Sequence, residues 1–198
     1  MSRRTRARWR TPLKYLLLTV SPDGELMARF VLRSEGQLRR LEAAVPDLLA
    51  AVPGQRVVTA NLQPAHAAIL EGEQERVLTD ADHLPMRLPS VALRLGPRSF
   101  FQTNTDVAAA LYRQARAWAD DVDARQVLDL YCGVGGFALH LADGTRRVHG
   151  VEIEPSAIDS ARRSAADAGL EASVTMRWVM MVMQFAGEYL GVVVWCVG

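Results

Sequence analysis

The run Val127-Leu128-Asp129-Leu130-Tyr131-Cys132-Gly133-Val134-Gly135-Gly136-Phe137 constrains this chain more than any other stretch. A short apolar strand ends in a carboxylate, and a glycine-rich turn then feeds an alanine- and leucine-bearing helix. Glycines there let the backbone approach a ligand closely and present its N–H groups at a helix start. A second strand, Arg147-Val148-His149-Gly150-Val151-Glu152-Ile153, ends in an acid a little over twenty residues after Asp129. Strand, turn, helix, strand and acid together describe a nucleoside-cofactor site, in which the loop holds one end and the second-strand acid takes ribose hydroxyls.

Spacing alone leaves the nucleoside open. Gly133, Gly135 and Ala138 also satisfy the G-x-G-x-x-[GA] pattern of dinucleotide sites, so an NAD- or FAD-dependent oxidoreductase is an alternative. Two features count against it. More than a hundred residues precede the loop, whereas a dinucleotide fold usually opens near the start of its domain. Asp129 also stands beside the loop, where a carboxylate suits a cationic ligand such as S-adenosylmethionine better than a pyrophosphate. The plain alternative is a packing turn in an ordinary α/β domain.

Three blocks narrow the choice: Ser99-Phe100-Phe101-Gln102-Thr103-Asn104, then Asp129-Leu130-Tyr131-Cys132-Gly133, then Gly150-Val151-Glu152-Ile153. Together they resemble the RNA uridine-C5 methyltransferases, above all the branch acting on 23S ribosomal RNA. The likeness runs from about Lys14 to about Leu170 and includes Asn61-Leu62-Gln63-Pro64. It implies S-adenosyl-L-methionine as cofactor, ribosomal RNA as partner and a cytoplasmic location. It also implies cofactor contacts from Gln102, Tyr131 and Glu152. Their chemistry is compatible: a carboxylate accepts from both ribose hydroxyls, a tyrosine offers a face and a hydroxyl, and an amide donates and accepts without charge.

Composition sets the outer bounds. With 198 residues, 49% hydrophobic and 23% charged, the chain has the makeup of a globular protein. A net charge of +1 makes no global case for nucleic acid, so any basic surface is local. Cys132 and Cys196 cannot form a disulfide scaffold. Some members of the resembled family hold an iron–sulfur cluster through upstream cysteines; none precedes Cys132, so no such cluster is expected. His66, His83, His140 and His149 are scattered without metal-ligand spacing, and no metal site is expected.

Along the chain, residues 1–12 form a basic arm with Arg3, Arg4, Arg6, Arg8 and Arg10, read as a solvated terminus rather than a phosphate grip. Residues 13–98 read as an antiparallel α+β domain, with strands at 13–20, 25–32, 56–62, 68–71, 76–78 and 91–95. A helix over 37–51 carries Leu38, Leu41, Val45, Leu48 and Leu49 on one stripe, with a break near Val45 set by Pro46. Residues 99–172 read as the start of an incomplete Rossmann-like methyltransferase domain. It includes a helix over 106–118 that turns Val107, Ala110, Leu111, Ala115 and Trp118 inward, and another over 155–168.

Residues 173–198 form an atypical hydrophobic tail with Met176, Met180, Met181, Met183, Trp178 and Trp195. A membrane span is disfavoured, because Gln184, Gly187, Glu188 and Gly191 interrupt it. A pair of divergent core strands is one reading; a truncated or frame-disturbed end is the preferred one. The Asn-Pro-Pro-type loop, nucleophilic cysteine and general-base glutamate that the resemblance leads one to expect are not found here. No catalytic residue is therefore assigned, and Cys132 is read as a packing residue. The sequence reading is an α/β protein resembling an S-adenosylmethionine-dependent RNA methyltransferase, as a fragment of one. A non-enzymatic RNA- or protein-binding module is the remaining alternative.

Overall fold

The computed structural model describes residues 13–65 and 70–178, together with the backbone of strand Val192–Trp195. The basic arm, His66, the end of the tail with Cys196, and part of the expected 68–71 strand lie outside the described residues. The chain divides into two compact units, one of Met1–Val20 with Glu25–Asp82, the other of Ser21–Gly24 with His83–Gly198.

The first unit is a four-stranded sheet with order β1-β2-β3-β4. Its strands are β1 (Leu13–Val20), β2 (Leu26–Leu32), β3 (Gln55–Leu62) and β4 (Gln74–Val77), with helix α1 (Glu35–Ala51) between β2 and β3. Antiparallel pairing holds for β1–β2 and for β3–β4. Between them β2 and β3 run parallel, Ala28 opposite Val58 and Leu32 opposite Leu62, because α1 carries the chain back before β3 starts. The sheet is thus mixed. Leu38 of α1 packs with Leu32, Ala60 and Leu62. That anchorage also explains why α1 runs unbroken through Pro46, against the expected break: buried Leu38 and Val45 flank the missing N–H.

Polar residues in this sheet are paired rather than solvated. Buried Arg29 donates from Nε to both carboxylate oxygens of Glu75 at 2.9 Å and bridges to Glu71. Thr59 Oγ1 and Asn61 Nδ2 donate to the same Glu75 carboxylate at 2.7 and 2.9 Å. Asn61 of the Asn-Leu-Gln-Pro block also exchanges hydrogen bonds with Gly72, which pins the segment entering β4.

The second unit begins with a hairpin, β5 (Leu84–Arg87) and β6 (Ala92–Leu95), of which the sequence reading saw only the second strand. The sequence boundary after residue 98 put this hairpin with the preceding strands. Here it groups with the C-terminal unit, since β6 is tied to a later helix: Arg94 N donates to Ser164 Oγ at 2.9 Å and Arg94 Nε to Asp167 at 2.6 Å. There follow α2 (Thr105–Asp121), β7 (Gln126–Leu130), α3 (Gly136–Leu141), β8 (Arg147–Glu152), α4 (Pro155–Asp167), β9 (Val174–Trp178) and β10 (Val192–Trp195). The four last strands form one parallel sheet in the order β10-β7-β8-β9. The order reverses between β7 and β10, the place where ligands bind in open α/β sheets, beyond the carboxyl ends of the strands.

Two expectations change here. The tail supplies two sheet strands: β9 buries Val174 and Met176, and the valine-rich β10 pairs with β7, whose other edge β8 occupies. The truncated-end reading of residues 173–198 is therefore corrected for these two stretches, because a valine run meets an open parallel ladder. Helix α2 is also rotated from its expected face. Ala108, Ala109, Tyr112, Ala115 and Ala119 are buried, while Val107, Leu111 and Trp118 are exposed. Small residues win the inward face because α2 packs closely on α3, where a β-carbon at Gly136 would strike the Tyr112 ring and hydroxyl.

Candidate cofactor site

The glycine loop is built on backbone that L-residues rarely adopt. Tyr131 has φ of 59°, Gly133 53° and Gly135 86°. For Tyr131 that conformation costs on the order of 1–3 kcal/mol, the kind of strain that collects at ligand sites. It is held in place by a hydrogen bond from Cys132 N to Val151 O at 3.1 Å and one from Gly135 N to Cys132 O at 2.8 Å. A β-carbon at Gly133 would meet nothing within 4 Å, so the loop has room there and the φ value alone demands glycine. Gly133→Val is accordingly expected to cost about 1–2 kcal/mol in urea unfolding through the left-handed backbone; an unchanged midpoint would place Gly133 outside that constraint.

Two carboxylates brace the loop. Glu152, at the end of β8, accepts from Gly133 N at 2.9 Å through Oε2, and from Ile153 N and Glu154 N at 2.7 and 3.0 Å through Oε1. Asp129, in β7, is fully buried and accepts from Ala138 N at 3.0 Å through Oδ2, while Oδ1 has no hydrogen-bond partner. Burial pushes the Asp129 carboxyl up to about 7; the Ala138 amide opposes that shift and the nearby Glu152 charge adds to it.

These groups line one cavity of about 760 Å³, within the range of small-molecule sites. Gln102, Tyr131 and Glu152, chosen from the sequence, all reach it, and so does Asp129. Phe101, Tyr112 and Phe137 line it too and were not singled out. Tyr112 lies edge-on to Phe137 at 4.7 Å and stacks on His140 at 4.5 Å. The periodicity of α2 hid Tyr112, because the bulkier apolar residues of that helix drew the inferred face away from it. Burial lowers the pKa of His140, whose Nδ1 meets Gly136 O at 2.6 Å, so it is a packing histidine here.

The lining contains two acids and, among the described residues, no lysine, arginine or histidine. Such a cavity favours a cationic ligand and gives a pyrophosphate no countercharge, which weighs against the dinucleotide alternative. The orphaned Asp129 Oδ1 and the second-strand Glu152 fit the two ends of S-adenosylmethionine, its ammonium and its ribose. Cys132 is 7% exposed, and its Sγ lies 3.8 Å from Gly133 O. Among the described residues no cluster of His, Cys, Asp or Glu is arranged to hold a metal, and no helix is long and apolar enough to cross a membrane.

Parallel order, glycine loop and strand-end acids define a Rossmann-like methyltransferase fold. The crystal structure of Pyrococcus abyssi tRNA (uracil-54, C5)-methyltransferase in complex with S-adenosyl-L-homocysteine shares it, with a TM-score of 0.66. That match has 24% sequence identity and covers 84% of this chain and 39% of the other. Residues 69–181 match the family described as tRNA (Uracil-5-)-methyltransferase, and the chain belongs to that family. The 23S rRNA (uracil(747)-C(5))-methyltransferase RlmC of Salmonella arizonae is 54% identical over 165 residues, and its counterpart in Salmonella typhi is 53% identical. Each alignment covers 83% of this chain and 44% of the relative, so the chain spans less than half the length of these curated relatives.

Proposed function

We propose that this chain is the cofactor-binding part of an S-adenosylmethionine-dependent RNA uracil-C5 methyltransferase acting on ribosomal RNA in the cytoplasm. The observation that carries the reading is the convergence of Gln102, Tyr131, Glu152 and the unpartnered Asp129 Oδ1 on one cavity without basic residues. Membership of the family and the relatives that act on 23S ribosomal RNA support the reaction class and the substrate. The cofactor, when bound, supplies a methyl group on a sulfonium.

The residues of the chain divide the work of holding it. Glu152 Oε2 accepts one amide, from Gly133, and a carboxylate oxygen has a further lone pair for a ribose hydroxyl. Tyr131, 46% exposed, offers its ring to the adenine or the sulfonium. Gln102 contributes an uncharged donor and acceptor at the rim. The left-handed backbone of Tyr131 aims that ring at the cavity, and the two acids keep the loop from closing over it.

Glu152→Ala is expected to weaken S-adenosylmethionine binding by about 1–3 kcal/mol, through loss of charge-assisted hydrogen bonds and of the brace on Gly133. Titration calorimetry checks it, and unchanged affinity removes Glu152 from the site. NAD binding with none for S-adenosylmethionine would overturn the cofactor reading as a whole.

A further inference from the structure

The two acids of the cavity differ in one respect. Glu152 is saturated by three backbone amides, whereas Asp129 has a single amide and an oxygen with nothing to accept from. A buried carboxylate oxygen without a partner is rare, and where it lines a cavity it marks where a donor belongs. No cation of the chain supplies that donor. On α3 the one titratable residue is His140, kept neutral by burial; β8 brings Glu152, a like charge. From α2 comes the Tyr112 phenol, and from the loop the Tyr131 phenol and the Cys132 thiol. On its other side β7 pairs with Val192-Val193-Val194-Trp195, which carries no titratable group.

The loop geometry separates the acids by role. Glu152 holds the start of the loop through Gly133, beside the end of β8, and Asp129 holds its far end through Ala138 in α3. A ligand whose ribose sits on Glu152 thus extends its other end toward Asp129, Gly136 and Phe137. We infer that Asp129 seats the primary ammonium of the bound cofactor, and that it carries a proton in the free protein which it releases when that ammonium arrives. The inference deepens the cofactor reading above and rests on it.

With its carboxyl pushed up to about 7, Asp129 is close to half protonated at neutral pH. A protonated carboxyl cannot pair with an ammonium, so binding must expel the proton, and affinity rises with pH up to the Asp129 pKa and levels off above it. The ligand's own amine loses its proton near about 8, which closes the window from the alkaline side. The sign is opposite to that of a site whose acid is already ionised, where affinity stays flat between about pH 6 and 7.5.

The test compares two ligands on the full chain by titration calorimetry. S-adenosylhomocysteine keeps the ammonium but not the sulfonium charge; 5′-methylthioadenosine lacks the whole amino-acid end. The homocysteine compound is expected to bind about tenfold tighter at about pH 7.5 than at about pH 6, and the thioadenosine equally at both. Glu152→Gln removes the neighbouring charge and is expected to move the midpoint of the profile to lower pH, whatever it does to absolute affinity. Asp129→Asn, checked for folding by circular dichroism, is expected to flatten the profile. A flat profile for S-adenosylhomocysteine in the unaltered protein overturns the proposal and leaves the cofactor reading standing. An equal slope for both ligands overturns the ammonium assignment. No binding of either at any pH overturns the cofactor reading itself.

Discussion

Incubation of the purified 198-residue protein with labelled S-adenosylmethionine and unmodified ribosomal RNA is expected to yield no 5-methyluridine. Carbon 5 of uracil is too weak a nucleophile to take a methyl group unaided, and a thiolate adding at C6 is what activates it. Cys132 is the one cysteine among the described residues, and it is poorly placed for that addition. It is 7% exposed, and a β-carbon at Gly150 would sit 2.9 Å from its Sγ, so its sulfur packs against the middle of β8 rather than facing a substrate. Its Sγ also lies 3.8 Å from Gly133 O, within the loop that would hold the cofactor. Nucleoside analysis after the incubation decides the matter. Any 5-methyluridine would overturn the expectation, and Cys132→Ser and Cys196→Ser variants would then show which thiol supplied the adduct.

Arg146→Ala is expected to destabilise the C-terminal unit by about 3–5 kcal/mol, the loss typical of breaking a buried charged network. The Arg146 side chain is 5% exposed and ties three elements together. Its Nε donates to Ala124 O at 2.8 Å, its Nη1 to Leu141 O at 2.9 Å, and its Nη2 to Asp120 at 2.5 Å. The exposed Asp120 contributes little by itself, since solvent screens that pair. The larger loss comes from the two carbonyls, at the ends of the α2 and α3 segments, that would lose their donor beside the start of β8. For a chain of this size the melting temperature should fall by roughly 10 °C. Arg146→Lys should recover only part of it, because one ammonium cannot serve three acceptors held apart by a planar guanidinium. A fall of less than a degree or two in thermal melting would show that the network is incidental.

Family and cofactor loop were legible from local pattern. The strand, the glycines and the second-strand acid lie within a few dozen residues, and each answers to a steric or hydrogen-bonding demand made on its own position. Gly133 and Gly135 have left-handed φ values, Pro155 opens α4, and Glu152 ends β8. Gln102 was legible only through the family pattern, since an amide in a turn has no signature of its own, and the cavity gives it neighbours.

What local pattern could not reach was set by neighbours distant in the chain. Helical periodicity identified α2 but chose the wrong face, because hydrophobicity ranks leucine and tryptophan above alanine. The packed face was decided instead by how closely α3 approaches. Pro46 signals a break that the burial of Leu38 and Val45 overrides. Parallel pairing of β2 with β3, and of β10 with β7, depends on which strand edge is open after the chain has crossed over, and no residue in those strands records it. The acidic character of Asp129 could be read from its letter. Its raised pKa could not, because that arises from complete burial opposed by a single amide, with the Glu152 charge close by. Residue type and spacing establish which conformations each segment can adopt; desolvation and packing between segments establish which face is hidden and which proton is held.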